Sequence, residues 1–280
     1  MALRMKAKVT IIIPCYNQGH FLSDALESLA QCDPALYSVT IVNDGSTDPV
    51  TIRFLEQLDK KAFTVLDQPN KGLAGARNTG IRQADSEYVL LLDADNKIRS
   101  SFLEKGTPVL DGDPKIAVLY GDGQFFGDET GIRKQAPFNL QKQMLVNYID
   151  ACALVRKSVF EDVGYFDENM KDGWEDWEMW LRIAFRGYRF HYLNEVLFDY
   201  RIRNDSMSKS VYDNKTRTNN IENYVYQKYP DKMGISYVVD FMVDRFRRNP
   251  ILFLIKLFIR TYFPAYYSRL LRENKIRNGL

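Results

Sequence analysis

The sequence predicts an α/β fold: a doubly wound, mostly parallel central sheet flanked by helices, with a helical extension at the C-terminal end. Three observations carry this. Short β-branched or apolar runs recur at residues 9–13, 39–42, 63–66 and 88–92, too short for helices, and the first reads as a strand buried on both faces. Between them, apolar residues fall at helical spacing, as with Leu22, Ala25, Leu26 and Leu29. The runs end in loop-forming residues, Pro14 after the first, Asn43-Asp44-Gly45-Ser46 after the second and Asp93 after the fourth. In such sheets the ligand crevice lies at those carboxyl ends.

Each element has its own signal. Pro14 closes the first strand, and a helix follows through Leu29. After the second strand, Asp48-Pro49 reads as a helix N-cap with proline at the first helical position. The third strand leads to a helix over residues 74–84, and the fourth stops at Asp93. Beyond Asn96 the pattern is mixed, with strands predicted at 117–120 and 192–197 and a helix at 174–186. No Gly/Ser-rich or Pro-rich linker separates the halves, so residues 1–97 and 98–210 are expected to form one domain, followed by a helical, basic-aromatic extension over 211–280.

Composition removes several classes. With 45% apolar and 26% charged residues, the chain is neither disordered nor polytopic. Lys and Arg number 38 against 36 acids, too even a balance for a protein that coats nucleic acid. Cys15, Cys32 and Cys152 are odd in number and form no C-x-x-C, so neither a disulfide framework nor a zinc ribbon is expected. The start of the chain lacks the apolar region of a signal peptide, and a reducing cytosol is expected.

The sharpest chemical feature is Asp93-Ala94-Asp95, directly after YVLLL. Residues two apart on an extended backbone point the same way, about 7 Å apart, so both carboxylates can converge on one hard cation such as Mg²⁺ or Mn²⁺. Tyr16 and Asp44 lie at the ends of the first two strands. Together these strand ends supply a ring face, an acceptor and a carboxylate pair to one crevice. That set suits a nucleoside diphosphate: Tyr16 beside the base, Asp44 accepting from a base N–H, Asp93 near the ribose and Asp95 on the metal. Asp44 equally suits an Asx-turn within N-D-G-S, and Arg77 suits either a surface helix position or a contact to base or diphosphate.

The segments VTIIIPCYNQGHFLSDALESL, IVNDGSTD, NKGLAGARNTGI, YVLLLDADN and GWEDWEMWLRIAFRG, in this order, resemble family 2 of the glycosyltransferases over roughly residues 8–210. The resemblance implies a GT-A type, Rossmann-like fold and inverting transfer of a sugar from a nucleotide donor, often a UDP-sugar, to an acceptor hydroxyl with Mn²⁺ or Mg²⁺. By position it implies Pro14, Tyr16, Asp44 and Arg77 around the nucleotide, Asp93 and Asp95 as the D-x-D pair, and Asp176 as catalytic base. Single displacement needs one carboxylate to take the acceptor proton and an electrophile to hold the leaving diphosphate. Asp172-Gly173 precedes a helix whose first turn holds Glu175 and Asp176, where the dipole favours ionised carboxylates. Adjacent helical residues point about 100° apart, so one faces the anomeric carbon. Asp176 is the choice, with Glu175 orienting or binding acceptor. Trp174, Trp177 and Trp180 suit core positions, with Trp174 placed to stack on a sugar.

One departure stands out: many relatives carry a metal-binding histidine where this chain has Arg203, and arginine cannot ligate a cation. Arg203 is expected instead to bind the diphosphate. His20 and His191 fall outside any cluster. The expected partners are the nucleotide-sugar and a saccharide or lipid-linked saccharide acceptor in cell-surface polysaccharide or glycolipid synthesis. A catalytically silent, sugar-nucleotide-binding scaffold is the alternative. No GxGxxG or GxxxxGK occurs, which argues against dehydrogenase and P-loop readings.

The extension is locally basic: from Arg245 to Arg277 there are nine basic residues and one acid, Glu273. Asn249-Pro250 opens ILFLIKLFIRTYFPAYYSRLL, in which Lys256 and Arg260 lie i, i+4. A spanning helix needs about 20 largely uncharged apolar residues, and these cations and Pro264 interrupt the run. It is expected to lie in the interface of an anionic leaflet, with Tyr262, Tyr266 and Tyr267 at headgroup depth, placing the chain peripherally on the inner face of the cell membrane. A helix packed on the domain or in a dimer seam is the other reading.

Overall fold

A computed structural model describes residues 7–203, 211, 214–233, 235–263 and 266. The expectations for Asn204 to Ser208, for Tyr267 and for the basic residues beyond it lie outside these.

The N-terminal half alternates as expected: β1 (Val9–Cys15), α1 (Gly19–Leu29), β2 (Tyr37–Asp44), α2 (Pro49–Gln57), β3 (Phe63–Gln68), α3 (Gly72–Gln83) and β4 (Tyr88–Leu91). The second half adds β5 (Lys97–Ile98), α4 (Ser100–Gly112), β6 (Ile116–Gly127), β7 (Gly131–Arg133), α5 (Leu140–Leu145), β8 (Leu154–Arg156), α6 (Lys157–Val163), α7 (Glu175–Phe185) and the long β9 (Arg189–Ile202). Helices α8 (Lys215–Lys228), α9 (Pro230–Met233), α10 (Ile235–Arg248) and α11 (Pro250–Tyr262) follow.

The strands form one sheet in the order β3-β2-β1-β4-β8-β6-β9-β5, with β7 paired to β6. It is parallel from β3 to β4 and becomes mixed where β8 runs antiparallel to both β4 and β6. Register sets the crevice. Ile12 lies level with Thr40 on one side and Leu91 on the other, so β1, β2 and β4 end together and deliver Tyr16, Asp44 and Asp93 to the same edge.

Alternation along β1 divides the core. Ile11 and Ile13 face one cluster with Leu22, Phe102 and Leu103, whereas Ile12 faces another with Ile81, Phe160 and Trp180. Each such fully buried side chain contributes roughly 1.5–3 kcal/mol. Helix α3 lies so close to β1 that a Cβ at Gly80 would sit 2.4 Å from Ile12 Cγ2. A third cluster joins Trp177 and Leu181 of α7 to Val211, Ile221, Val225 and Met233, so the start of the extension packs on the back of α7.

Candidate active site

Local chemistry builds each strand-end loop. Asn17, just past β1, adopts a left-handed backbone with φ 55°, which Asn tolerates better than most residues. Its Oδ1 accepts from Thr47 N (2.8 Å) and Asp48 N (2.9 Å), clamping the β1–α1 loop to the β2–α2 loop. Asp48 caps α2 as expected, accepting from Thr51 N at 2.8 Å and Thr51 Oγ1 at 2.7 Å. The same hydroxyl accepts from Gly19 N at the start of α1. Tyr16, on this braced platform, is 47% exposed, and Pro14 is buried within β1.

Asp44 is buried. Its Oδ1 accepts from Gln68 Nε2 (2.6 Å) and Lys71 N (2.8 Å), and Oδ2 takes part in neither bond. Gln68 is held in turn by Thr79 Oγ1 (2.5 Å). The Asx-turn inside N-D-G-S belongs to Asn43, whose Oδ1 accepts from Ser46 N, which leaves Asp44 to bridge to the β3–α3 loop.

Arg77, expected at the nucleotide, is turned inward and is 1% exposed. Its Nη2 donates to Asp93 Oδ1 at 2.7 Å and its Nη1 to Glu175 Oε1. Burial opposes its charge, but Asp93, Glu175 and Asp176 outweigh that and raise its pKa. One guanidinium thus ties the first carboxylate of the D-x-D pair to the start of α7. Sequence spacing gave no sign of this pairing, since Arg77 and Glu175 lie 98 residues apart.

Asp95 Oδ2 lies 3.3 Å from Arg203 Nε. Burial and the neighbouring Asp93 push its carboxyl up to about 6, against the pull of Arg203. Arg201 and Asn96 lock the end of β9 onto this turn: Arg201 Nε donates to the Asp95 carbonyl (3.0 Å) and Arg201 N to Asn96 Oδ1 (3.0 Å). Arg203 also lies over the Phe21 ring, 4.7 Å from its centroid. A cleft of about 600 Å³ runs from Tyr16, Asn17 and Phe21 to Gly127 and Arg201–Arg203. His20 lines its rim, and His191 lies in β9 away from it.

Helix α7 begins as expected, with Gly173 and the left-handed Trp174 (φ 57°) turning the chain into it. Glu175 is buried and Asp176 half-buried. Asp176 Oδ1 accepts from Asn147 Nδ2 (2.8 Å) and from Trp177 N (2.8 Å), and Oδ2 is in neither bond. Burial and then the Glu175 charge push its carboxyl up to about 7, opposed by Arg77. Trp177 and Trp180 are core residues, whereas Trp174 is half-buried and meets Trp177 edge-on at 5.9 Å.

Two supports were invisible in the sequence pattern. Asn78 of α3 donates through Nδ2 to the Phe166 carbonyl and accepts from Phe166 N, fixing the approach to α7. Glu178, fully buried, accepts from Arg182 Nη2 (2.7 Å) and Tyr229 OH and lies 2.9 Å from Lys228 Nζ. An acid on the apolar stripe of α7, four residues after Trp174 and three before Leu181, therefore anchors α8.

The metal expectation fits the donor set in part. Asp93 and Asp95 offer carboxylate oxygens at one turn, but Asp93 Oδ1 is bonded to Arg77 and Asp95 faces Arg203. Among the described residues no group of three or more His, Cys, Asp or Glu gathers as a cage. A hard cation held by these two carboxylates would need its remaining oxygens from a bound ligand and water.

A family model, Glycosyl transferase family 2, matches residues 10–164 and so contains Pro14, Asp44, Arg77 and the Asp93/Asp95 pair. The chain belongs to glycosyl transferase family 2. Among curated relatives of the family, the poly-β-1,6-N-acetyl-D-glucosamine synthase of Staphylococcus aureus (strain COL) is 27% identical over 197 residues, 66% of this chain and 47% of that protein. TuaG of Bacillus subtilis (strain 168), named for teichuronic acid biosynthesis, is 28% identical over 218 residues, 76% of this chain and 86% of that protein. The chain thus spans about half the length of the synthase. S. aureus TarS 1–349 in complex with UDP-GlcNAc superposes with a TM-score of 0.60 at 21% identity, covering 74% of this chain and 64% of that one. TarS 1–349 alone gives 0.57 at 23%, covering 69% and 60%. The shared architecture is the GT-A fold that the resemblance implied.

Proposed function

We propose that this chain is an inverting glycosyltransferase that moves a sugar from a UDP-sugar to a hydroxyl of a saccharide or lipid-linked saccharide in cell-surface polysaccharide synthesis. The observation that carries the reading is the chain of contacts Asp93–Arg77–Glu175, which holds Asp176 beside the D-x-D turn. Support for the donor class comes from TarS, solved with UDP-GlcNAc, and for the polymer class from the names of the curated relatives.

In the reaction, Asp176 Oδ2 takes the acceptor hydroxyl proton while that oxygen attacks the anomeric carbon. The new C–O bond forms as the bond to the β-phosphate oxygen breaks and UDP leaves from the opposite face. A base titrating near the working pH is what such proton transfer favours. Asn147 fixes the carboxylate through Oδ1, and Glu175 stays bound to Arg77. Tyr16 stacks beside the base, Asp44 Oδ2 accepts from it, and Arg203 binds the diphosphate. Asp95, with Asp93, would hold Mn²⁺ or Mg²⁺, which when bound neutralises the diphosphate's developing charge.

A thermal-shift screen against UDP-, GDP-, dTDP- and CMP-sugars, paired with assay of released nucleotide, tests this. A donor at about 100 times its Kd adds roughly 2.7 kcal/mol of stability. The expected result is stabilisation by a UDP-sugar, beginning with UDP-GlcNAc, together with slow release of UDP. Stabilisation without release would replace the enzyme with the silent scaffold.

A further inference from the structure

We infer that the α10–α11 hairpin is a docking surface for an anionic lipid bilayer, carried with its apolar side facing away from the domain. Along α11, Ile251, Leu254, Ile255, Phe258 and Tyr262 form one stripe, between 49% and 73% exposed, and no residue of the helix is buried. On the opposite side Phe253 and Lys256 are half-buried, whereas Leu257 and Arg260 are exposed. Phe253 meets Phe246 of α10 edge-on at 5.8 Å. Arg260, i+4 from Lys256, lies close enough to Glu222 and Tyr226 of α8 for its charge to act on both. Val239, Val243 and Phe246 of α10 are exposed at i, i+4 and i+7.

The polarity is therefore reversed. A helix packed on a domain from water puts its apolar stripe inward and its charges outward, but α11 leaves its apolar stripe exposed while Lys256 is half-buried on the other side and the charge of Arg260 acts on α8. Scattered exposed apolar side chains are ordinary, whereas a continuous patch marks a partner.

Charge selects the partner. The stripe lies within a segment of nine basic residues and one acid. Such a segment is drawn to an anionic leaflet, whereas a second copy would bring two like-charged segments together. The 13-residue α11 reaches about 20 Å at 1.5 Å per residue, short of a bilayer core of about 30 Å. No helix among the described residues is long and apolar enough to cross a membrane. The hairpin thus lies in the plane of the interface, on the cytoplasmic leaflet where anionic lipids concentrate. Because Lys228 and Tyr229 grip Glu178, docking also fixes α7, and Asp176 with it, relative to the bilayer.

Vesicle flotation of the full chain tests this without any donor. The chain should float with phosphatidylcholine/phosphatidylglycerol vesicles, should largely fail to float with phosphatidylcholine alone, and should lose flotation in high salt. Ile255→Asp/Phe258→Asp should abolish flotation with an unchanged melting curve. Ile251→Asn, at the most exposed position of the stripe, should weaken it with even less risk to folding. Failure of the wild type to float, equal flotation with both vesicle types, or wild-type flotation by the double variant would overturn the inference. So would a dimer in sedimentation velocity that the double variant splits while vesicles capture neither protein.

Discussion

Arg77 is bonded to carboxylates at positions 93 and 175; the bond to Glu175 is shielded from water, while Asp93 is partly exposed. Removing one partner of a buried ion pair leaves the remaining charge uncompensated, at about 3–5 kcal/mol. Arg77→Met should lose that much in urea unfolding. Arg77→Lys should recover only part, because a point charge cannot bridge two carboxylates as a planar fork does. Asp176 gives a pH test with a definite sign. Its carboxyl is raised from an ordinary 3.8 to about 7, so the folded chain holds a proton that the unfolded chain releases across that window. Stability attributable to this group therefore falls as pH rises from 3.8 to about 7. Asp176→Asn should melt higher than wild type at pH 8, and the difference should shrink as pH falls and vanish only below 3.8. Transfer by the wild type should rise with pH and level off above about 7. Arg203 offers a third test, since it stands 3.3 Å from Asp95 at the position where the family resemblance implies a metal-binding histidine. Arg203→His should make UDP affinity depend more steeply on Mn²⁺, with EDTA weakening binding by about tenfold, or about 1.4 kcal/mol.

Elements with local signals were readable from the sequence. The Asp48-Pro49 and Asn249-Pro250 helix starts are present, with both side-chain caps made. Asp172-Gly173 does lead into α7, and β1, β2 and β4 lie where the apolar runs placed them. What could not be read rests on contacts between distant segments. The three-residue β8 is too short to carry a pattern, yet it turns the sheet from parallel to mixed. Glu178 falls on the apolar stripe of α7 with Trp174, Leu181 and Phe185, but the pattern names no partner for it; α8 packs over it and brings Tyr229 and Lys228 with it. Tyr229→Phe removes a hydrogen bond to a buried charge, a loss of about 1.5–3 kcal/mol. Faster amide hydrogen exchange across α8 than across α4 would be the expected signature of that variant.

At the scale of the whole molecule, one edge of the sheet collects what the strand ends carry. Tyr16, Asp44 and Asp93 arrive by register, Asp95 with its own turn, and Arg203 at the end of β9. Helix α7 is drawn to this edge by Arg77 on one side and braced by α8 on the other. Tyr16, Asp44, Asp93 and Asp95 were legible as motifs because each lies at or just past a strand end. Glu175 and Asp176 were legible from the turn before α7, but Asn147 and Asn78 were not, since they act through contacts that only folding creates. The most direct measurement compares UDP-GlcNAc affinity with UDP release for wild type and Asp176→Asn. Equal Kd values with release reduced by about 10²–10⁴ would match a general base at Asp176. Undiminished release by the variant would contradict it.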